Sequence, residues 1–213
     1  VLADAPLAYY RLNETSLSAL VDSSGNGLDG TFVGSPTLGV TGLVNTIDQD
    51  PAIGFLAAGQ EAILPAGACP NLSQPFSIEL WVRWSGGSTG QEFVTLYDGT
   101  NYAALGCGYQ VGDKIGFAVG LGTNFTTWHY NAGTGLNTNT RHHLVAVYDG
   151  TARLIYIDGA LTTGSQGGSL WVAAVRKLAG GYYAGCRSVL DEVAIYAKAL
   201  SLARIQDHWN AGR

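Results

Sequence analysis

The sequence predicts an all-β fold of ten or more short antiparallel strands, with one short helix at the C-terminal end. Three observations carry this. Short segments with apolar residues at every second position recur along the chain, Asp-Gly pairs stand between them, and only the last segment has helical spacing. The clearest alternation is IELWVRW (78–84), where Phe76, Ile78, Leu80 and Val82 fall on one face and Glu79, Trp81 and Arg83 on the other. Weaker versions occupy residues 8–12, 93–97, 103–111, 114–120, 126–130, 142–148, 153–157, 170–174 and 189–196. The turns YDGT (97–100), YDGT (148–151) and IDGA (157–160) each place Asp-Gly between apolar runs. Gly accepts the positive φ that tight hairpins require, so these pairs mark hairpins. The helix is announced by Ser201, a residue type whose oxygen caps orphan backbone N–H groups. Leu202, Ile205 and Trp209 then share one helical face, and Gly212 stands where a C′ residue would end the helix.

Composition agrees. Of 213 residues, 13% are charged, against about 25% in an average protein, and 30 are Gly, which suits many strands joined by tight turns. Nothing reads as an interdomain linker, so residues 1–213 are taken as one domain. The net charge is −5 with no Lys/Arg cluster, which argues against nucleic acid as a partner. Apolar runs fall far short of the ~20 residues of a membrane helix, so no membrane is expected. With no signal peptide and no Met, the chain reads as mature, trimmed or cut from a larger polypeptide. Cysteines stand at 69, 107 and 186; a Cys107–Cys186 disulfide and three unpaired thiols are both open.

Residues 22–30 read DSSGNGLDG. Calcium takes six to eight oxygens from carboxylates and carbonyls on a flexible loop. Asp22 and Asp29 offer carboxylates, and Asn26 offers a side-chain carbonyl. The same residue types also make turns to their own backbone without any metal.

Taken in order, AYYRLNE, DSSGNGLDGTFVG, PFSIELWVRW, RHHLVAVYDGTARLIYIDG and LDEVAIYAKALSLARIQDHWNAG resemble the laminin-G-like, concanavalin A-like jelly-roll domain along nearly the whole chain. The type is similar to copies in secreted bacterial proteins and bacteriophage tail or virion-surface proteins. The resemblance implies a two-sheet jelly roll, a calcium ion near the 22–30 loop as cofactor, and Asp191 as the acid that closes the site from a distant strand. It also implies a module that binds a glycan or protein on a cell or virion surface. Tyr10 and Arg141 stand where the family usually has Trp, and Leu56-Ala57 where it commonly has Asp-Gly.

Catalysis is not expected. Retaining glycosidases need two carboxylates about 5 Å apart. Glu79 is the one acid on its strand, and strict alternation puts Asp191 and Glu192 on opposite faces. His142 and His143 likewise alternate and read as structural, while His129 sits between Trp128 and Tyr130. Ligand binding is assigned to aromatic rings. Trp128 and Tyr130 share a face beside the loop NAGTGLNTNT (131–140), Trp81 lies on the polar face of its strand, and Tyr102 completes the set, with Trp84, Tyr109, Tyr182 and Tyr183 as further candidates. A non-catalytic recognition module, extracellular or on a virion surface, is therefore the leading expectation. A structural surface component without a ligand is the alternative, and a glycan-cleaving enzyme the third.

Overall fold

The computed structural model describes the chain except residues 45–49, 85–90, 108–113, 132–138 and 181–186; for residues 163–170 it describes the backbone alone. The strands are β1 (Ala8–Tyr10), β2 (Thr31–Val33), β3 (Thr37–Val40), β4 (Ala52–Phe55), β5 (Glu61–Ile63), β6 (Phe76–Trp84), β7 (Gln91–Tyr97) and β8 (Tyr102–Cys107). They continue with β9 (Ile115–Gly120), β10 (Phe125–Asn131), β11 (Arg141–Tyr148), β12 (Arg153–Ile157), β13 (Ala160–Leu161), β14 (Thr163–Trp171), β15 (Lys177–Leu178) and β16 (Ser188–Tyr196). One helix, α1 (Leu202–Gly212), ends the chain, and 3-10 turns occupy Leu2–Asp4 and Ala66–Ala68.

Two antiparallel sheets form the sandwich. Sheet one runs β13-β12-β11-β6-β16-β4-β3 with β1 also paired to β16, and sheet two runs β14-β10-β9-β8-β7-β15-β5-β2. The alternation of β6 is realised as read: Phe76, Ile78, Leu80 and Val82 enter the core between the sheets. There they meet Phe93, Leu105, Phe117 and Val119 of sheet two, and Phe76 packs edge-on against Phe117 at 6.0 Å. The Asp-Gly turns hold positive φ at Gly99 and Gly150, and at both Asp158 and Gly159. Short strands β2 to β5 complete both sheets.

The outer face of sheet one is covered rather than wet. Helix α1 begins where the Arg204 amide bonds Ser201 Oγ at 3.4 Å, and its Ile205 packs with Tyr9, Val145, Val147, Ala194 and Tyr196. Trp209 stacks on Trp81 at 5.3 Å and 25°. Gly212 is the last helical residue rather than a residue beyond it, and its requirement is steric: a Cβ there would lie 2.3 Å from Trp81 Cζ2.

The outer face of sheet two is built differently. Small residues (Ala104, Gly116, Ala118) line the strands beside β10, and the rings of Trp128 and Tyr130 lie down on them. A Cβ on Gly116 would stand 2.7 Å from Trp128 Cε3 and 3.0 Å from Tyr130 Cε1. Both rings are 0% exposed. Replacing Trp128 by Ala is therefore expected to cost about 3–5 kcal/mol. Thermal unfolding should show this as a drop of several degrees in Tm whether or not a ligand is present; an unchanged Tm would contradict the packing.

Candidate functional site

The buried acid Glu79 organises the covered face of sheet one. It projects from the middle of β6 and is 2% exposed. Its carboxylate receives His143 Nε2 from β11 at 2.7 Å, Tyr196 Oη from β16 at 2.7 Å and His208 Nδ1 from α1 at 3.0 Å. His208 Nε2 reaches on to Asp4 Oδ2 at 2.8 Å, and Arg204 Nη2 meets the same oxygen at 2.7 Å. Burial pushes the Glu79 carboxyl up, but the bonds from His143 and His208 outweigh it and hold it well below the usual carboxylate range. The Arg204 guanidinium, with help from His208, holds Asp4 down at about 2 against its burial. Burial opposes the charge of His208, and Glu79 and Asp4 together overcome that and raise it.

Beside this network lies a cavity of about 480 Å³, lined among others by Tyr9, Arg11, Asp50, Trp81, Asp191 and Glu192. A β-bulge lies in its wall. Along β16, Asp191 pairs with Trp81 and Ala194 with Glu79, so three steps on one strand match two on the other. Glu192 takes φ 53°, a left-handed value uncommon outside Gly. On its far side β16 pairs with β4 through Leu190 and with β1 from Val193, so the bulged residues fall between the two partners. The expectation that Asp191 and Glu192 face opposite ways is corrected: the extra residue turns both acids toward one cavity.

Around them, Arg11 Nη2 meets Asp50 Oδ2 at 2.6 Å and Arg11 Nε meets Glu192 Oε1 at 3.4 Å. The Tyr9 hydroxyl donates to Glu192 Oε2, and Asn13 Nδ2 donates to Asp50 Oδ2 at 2.6 Å. Asp191 is 2% exposed; its Oδ2 accepts the Leu43 amide at 2.8 Å and its Oδ1 has no hydrogen-bond partner. Burial pushes Asp191 up to about 7, against the pull of nearby backbone amides and Arg11. Burial likewise pushes Glu192 up to about 7.

The rings chosen from sequence are dispersed. Trp128 and Tyr130 are corrected from exposed platform to packed interior, because the glycines and alanines beside them leave room for rings to lie flat. Trp81 lies beneath α1, 4% exposed, and lines the cavity. Tyr102 is half-buried on sheet two, 4.8 Å from Tyr97. Tyr109, Tyr182, Tyr183, Cys186 and loop residues 132–138 lie outside the described residues. Sequence reasoning missed Arg11, Asp50 and Glu192 as a group. It also missed Phe125 and Trp171, 51% and 46% exposed with rings 5.6 Å apart on an edge of sheet two.

The loop 22–30 satisfies itself. Asp22 Oδ1 accepts the amides of Tyr9 (3.0 Å) and Ser24 (2.9 Å), and Oδ2 accepts Ser24 Oγ (2.8 Å) and the Leu28 amide (2.9 Å). Asp29 Oδ1 accepts the Asp22 amide, and Asn26 Nδ2 donates to Leu7 O. Positive φ at Gly25 and Gly27 closes the loop. These oxygens are turned to N–H and O–H donors, and no group of three or more His, Cys, Asp or Glu that could hold a metal occurs among the described residues. The loop therefore does not fit a calcium ion in this arrangement. Thermal melts in excess calcium and in EDTA are expected to coincide; a calcium-dependent rise near the ~2.7 kcal/mol of a ligand at 100 times its Kd would restore the metal.

The raised carboxyl of Asp191 gives a stability signature. Its folded pKa of about 7 exceeds the ordinary aspartate value of 3.8, so the folded state holds the proton more tightly. The contribution of Asp191 to stability is then full below about pH 4, falls as pH rises toward 7, and stays low above. Asp191→Asn is expected to raise stability at pH 8 by about 1–3 kcal/mol while leaving it nearly unchanged at pH 4. Chemical denaturation at the two pH values checks this; equal effects at both would contradict it.

Residues 56–206, more than half of the chain, match the family described as the concanavalin A-like lectin/glucanases superfamily, in its laminin-G form. No curated protein sequence matches the chain. Among solved structures, the binding domain of botulinum neurotoxin DC in complex with SialylT is similar at a TM-score of 0.68 and 14% identity, over 99% of this chain and 52% of that one. The chain thus spans about half the length of the neurotoxin structures it matches. Domain 4 of AbnA, an extracellular arabinanase of Geobacillus stearothermophilus solved with arabinotriose, is similar at 0.65 and 22% identity, over 95% of this chain and 97% of that one. A Trypanosoma rangeli sialidase is similar at 0.63 and 13% identity, over 96% of this chain and 32% of that one. The chain belongs to the concanavalin A-like lectin/glucanases superfamily and folds as its laminin-G-like jelly roll.

Proposed function

We propose that the chain is a non-catalytic glycan-recognition module of a larger extracellular or virion-surface protein, and that it holds its ligand in the cavity beside the β16 bulge. One observation carries this reading: a cavity of about 480 Å³ whose lining brings together hydrogen-bonding groups (Arg11, Asp50, Asp191, Glu192) beside Tyr9 and Trp81. Sugars present several hydroxyls at close spacing, and convergent polar groups of this kind match them. Similarity to the AbnA domain solved with arabinotriose and to the neurotoxin domain solved with SialylT supports the ligand class.

Binding is favoured over hydrolysis on chemical grounds. A glycosidase needs one protonated and one ionised carboxyl flanking the scissile bond. Asp191 and Glu192 are chain neighbours on one strand, and burial drives both in the same direction, to about 7. No acid–base division results between them, and Glu79, the ionised acid of the same lining, has both oxygens taken up by His143, Tyr196 and His208. A second reading, a structural surface component, draws on the exposed Phe125–Trp171 pair at the β14–β10 edge of sheet two, an apolar patch of the kind that packs against neighbours.

A glycan panel probed with the labelled chain tests the proposal. A defined hit is expected, with Arg11→Ala or Asp50→Ala weakening it at least about 10-fold, equivalent to 1.4 kcal/mol. Both residues are about one-third exposed, with side chains at 30% and 34%, so the fold should survive either change. Silence across the panel, or a hit insensitive to both substitutions, would contradict this site and shift weight to the structural reading.

A further inference from the structure

Positive charge gathers at the end of β6, two residues past Trp81. Arg83 there stands directly opposite Arg141 of β11, with Val189 of β16 opposite it on the other side. Residues directly opposite share a face of the sheet, and like charges so placed repel. Arg187, exposed just before β16, lines with Arg83 a separate cavity of about 240 Å³, completed by Leu56, Asn139, Ser188 and Val189. Among the described residues no acid lines this cavity. The cavity beside the bulge, by contrast, carries Asp50, Glu79, Asp191 and Glu192. The segments that adjoin the smaller cavity in sequence, 85–90, 132–138 and 181–186, contain no charged residue. Two arginines without an acid stand out in a chain with 11 Lys and Arg against 16 Asp and Glu.

The fold does not use the charge of Arg83. Its half-buried side chain has no hydrogen-bond or ion-pair partner among the described residues. Arg141 donates to Leu43 O at 2.9 Å and lies over the Trp81 ring at 5.7 Å, so it adds positive potential without supplying an acid. An anion is the partner that relieves such an arrangement. A guanidinium presents N–H donors in a planar fork, which matches the two oxygens of a carboxylate. Access is open, because Arg187 is exposed and Leu56 is 47% exposed. The volume lies below the ~300 Å³ at which pockets for drug-sized ligands begin, which suits a single ring. Taking from the glycan reading above only the class of molecule, we propose that this second cavity binds the acidic residue of a glycan, a uronic acid whose carboxylate is held between Arg83 and Arg187 while Leu56 borders its ring.

The test titrates the isotope-labelled chain with galacturonate, glucuronate, the methyl ester of each and inorganic sulfate, following the arginine Nε–H signals by NMR. A uronate is expected to shift the Arg83 and Arg187 signals saturably. It should bind at least about 10-fold more tightly than its methyl ester, which keeps the ring and loses the charge. Arg83→Gln and Arg187→Gln should each weaken that binding at least about 10-fold, with thermal unfolding still cooperative. Lys198→Gln removes one charge from an exposed position past the other end of β16, and should leave the binding unchanged. Methyl esters that bind as tightly as the acids would overturn the proposal, as would uronate binding that survives both arginine substitutions. A loss equally large in Lys198→Gln would overturn it too, since net charge would then explain the effect. Sulfate bound as tightly as either uronate would mean an adventitious ion only, with no part played by the sugar. If neither uronate binds, this site falls while the cavity beside the bulge is untouched, because that cavity is judged by the glycan panel and by Arg11→Ala and Asp50→Ala.

Discussion

The outer face of sheet one depends on a single buried carboxylate. Glu79 sits in the centre of β6 under a helix, where an unpaired charge would be untenable. Its three donors come from β11, β16 and α1, so satisfying it ties two neighbouring strands and the helix to one point. His208 extends the tie to Asp4, and Arg204 closes it, so the Leu2–Asp4 turn and α1 are held together against the same sheet. Removing one member would strand the rest, at a cost on the order of 3–5 kcal/mol. The apolar seal follows from the docking: Trp209 stacks on Trp81, and Gly212 lets the end of α1 close onto that ring.

The cavity is what this docking leaves open. Helix α1 covers the Glu79 end of the face, while the bulge in β16 holds Asp191 and Glu192 where the pairing of that strand passes from β4 to β1. The two sets of acids behave oppositely for a physical reason. Glu79 has enough donors to stay ionised, whereas burial outweighs the few backbone amides near Asp191, of which the Leu43 amide bonds Oδ2.

Much of the fold was legible because alternation is a local signal. Residues 76–84 display their core face in sequence, the Asp-Gly turns announce three hairpins, and Ser201 caps the helix it precedes. The site was less legible because it is made of exceptions. Alternation assumes a regular strand, so the bulge at Glu192 inverted the reading of the acids. Glu79 looked isolated because its partners lie 64, 117 and 129 residues away. Trp128 and Tyr130 look like an exposed pair until Gly116 and Ala118, a strand away, are seen to make space for their rings. Asp22 has the residue type of a calcium ligand, but its four bonds to neighbouring donors become visible only once the loop closes on β1.

The central claim is that a bulge holds Asp191 and Glu192 in one poorly solvated cavity while Glu79, nearby, is fully paired. A carbon-13 NMR titration of the side-chain carboxyls tests it directly. The account predicts that Asp191 and Glu192 titrate near pH 7 and that Glu79 stays ionised through the acid range in which the protein remains folded. Ordinary titration of Asp191 and Glu192 near pH 4 would mean that water reaches both, and would contradict the cavity on which the functional reading stands.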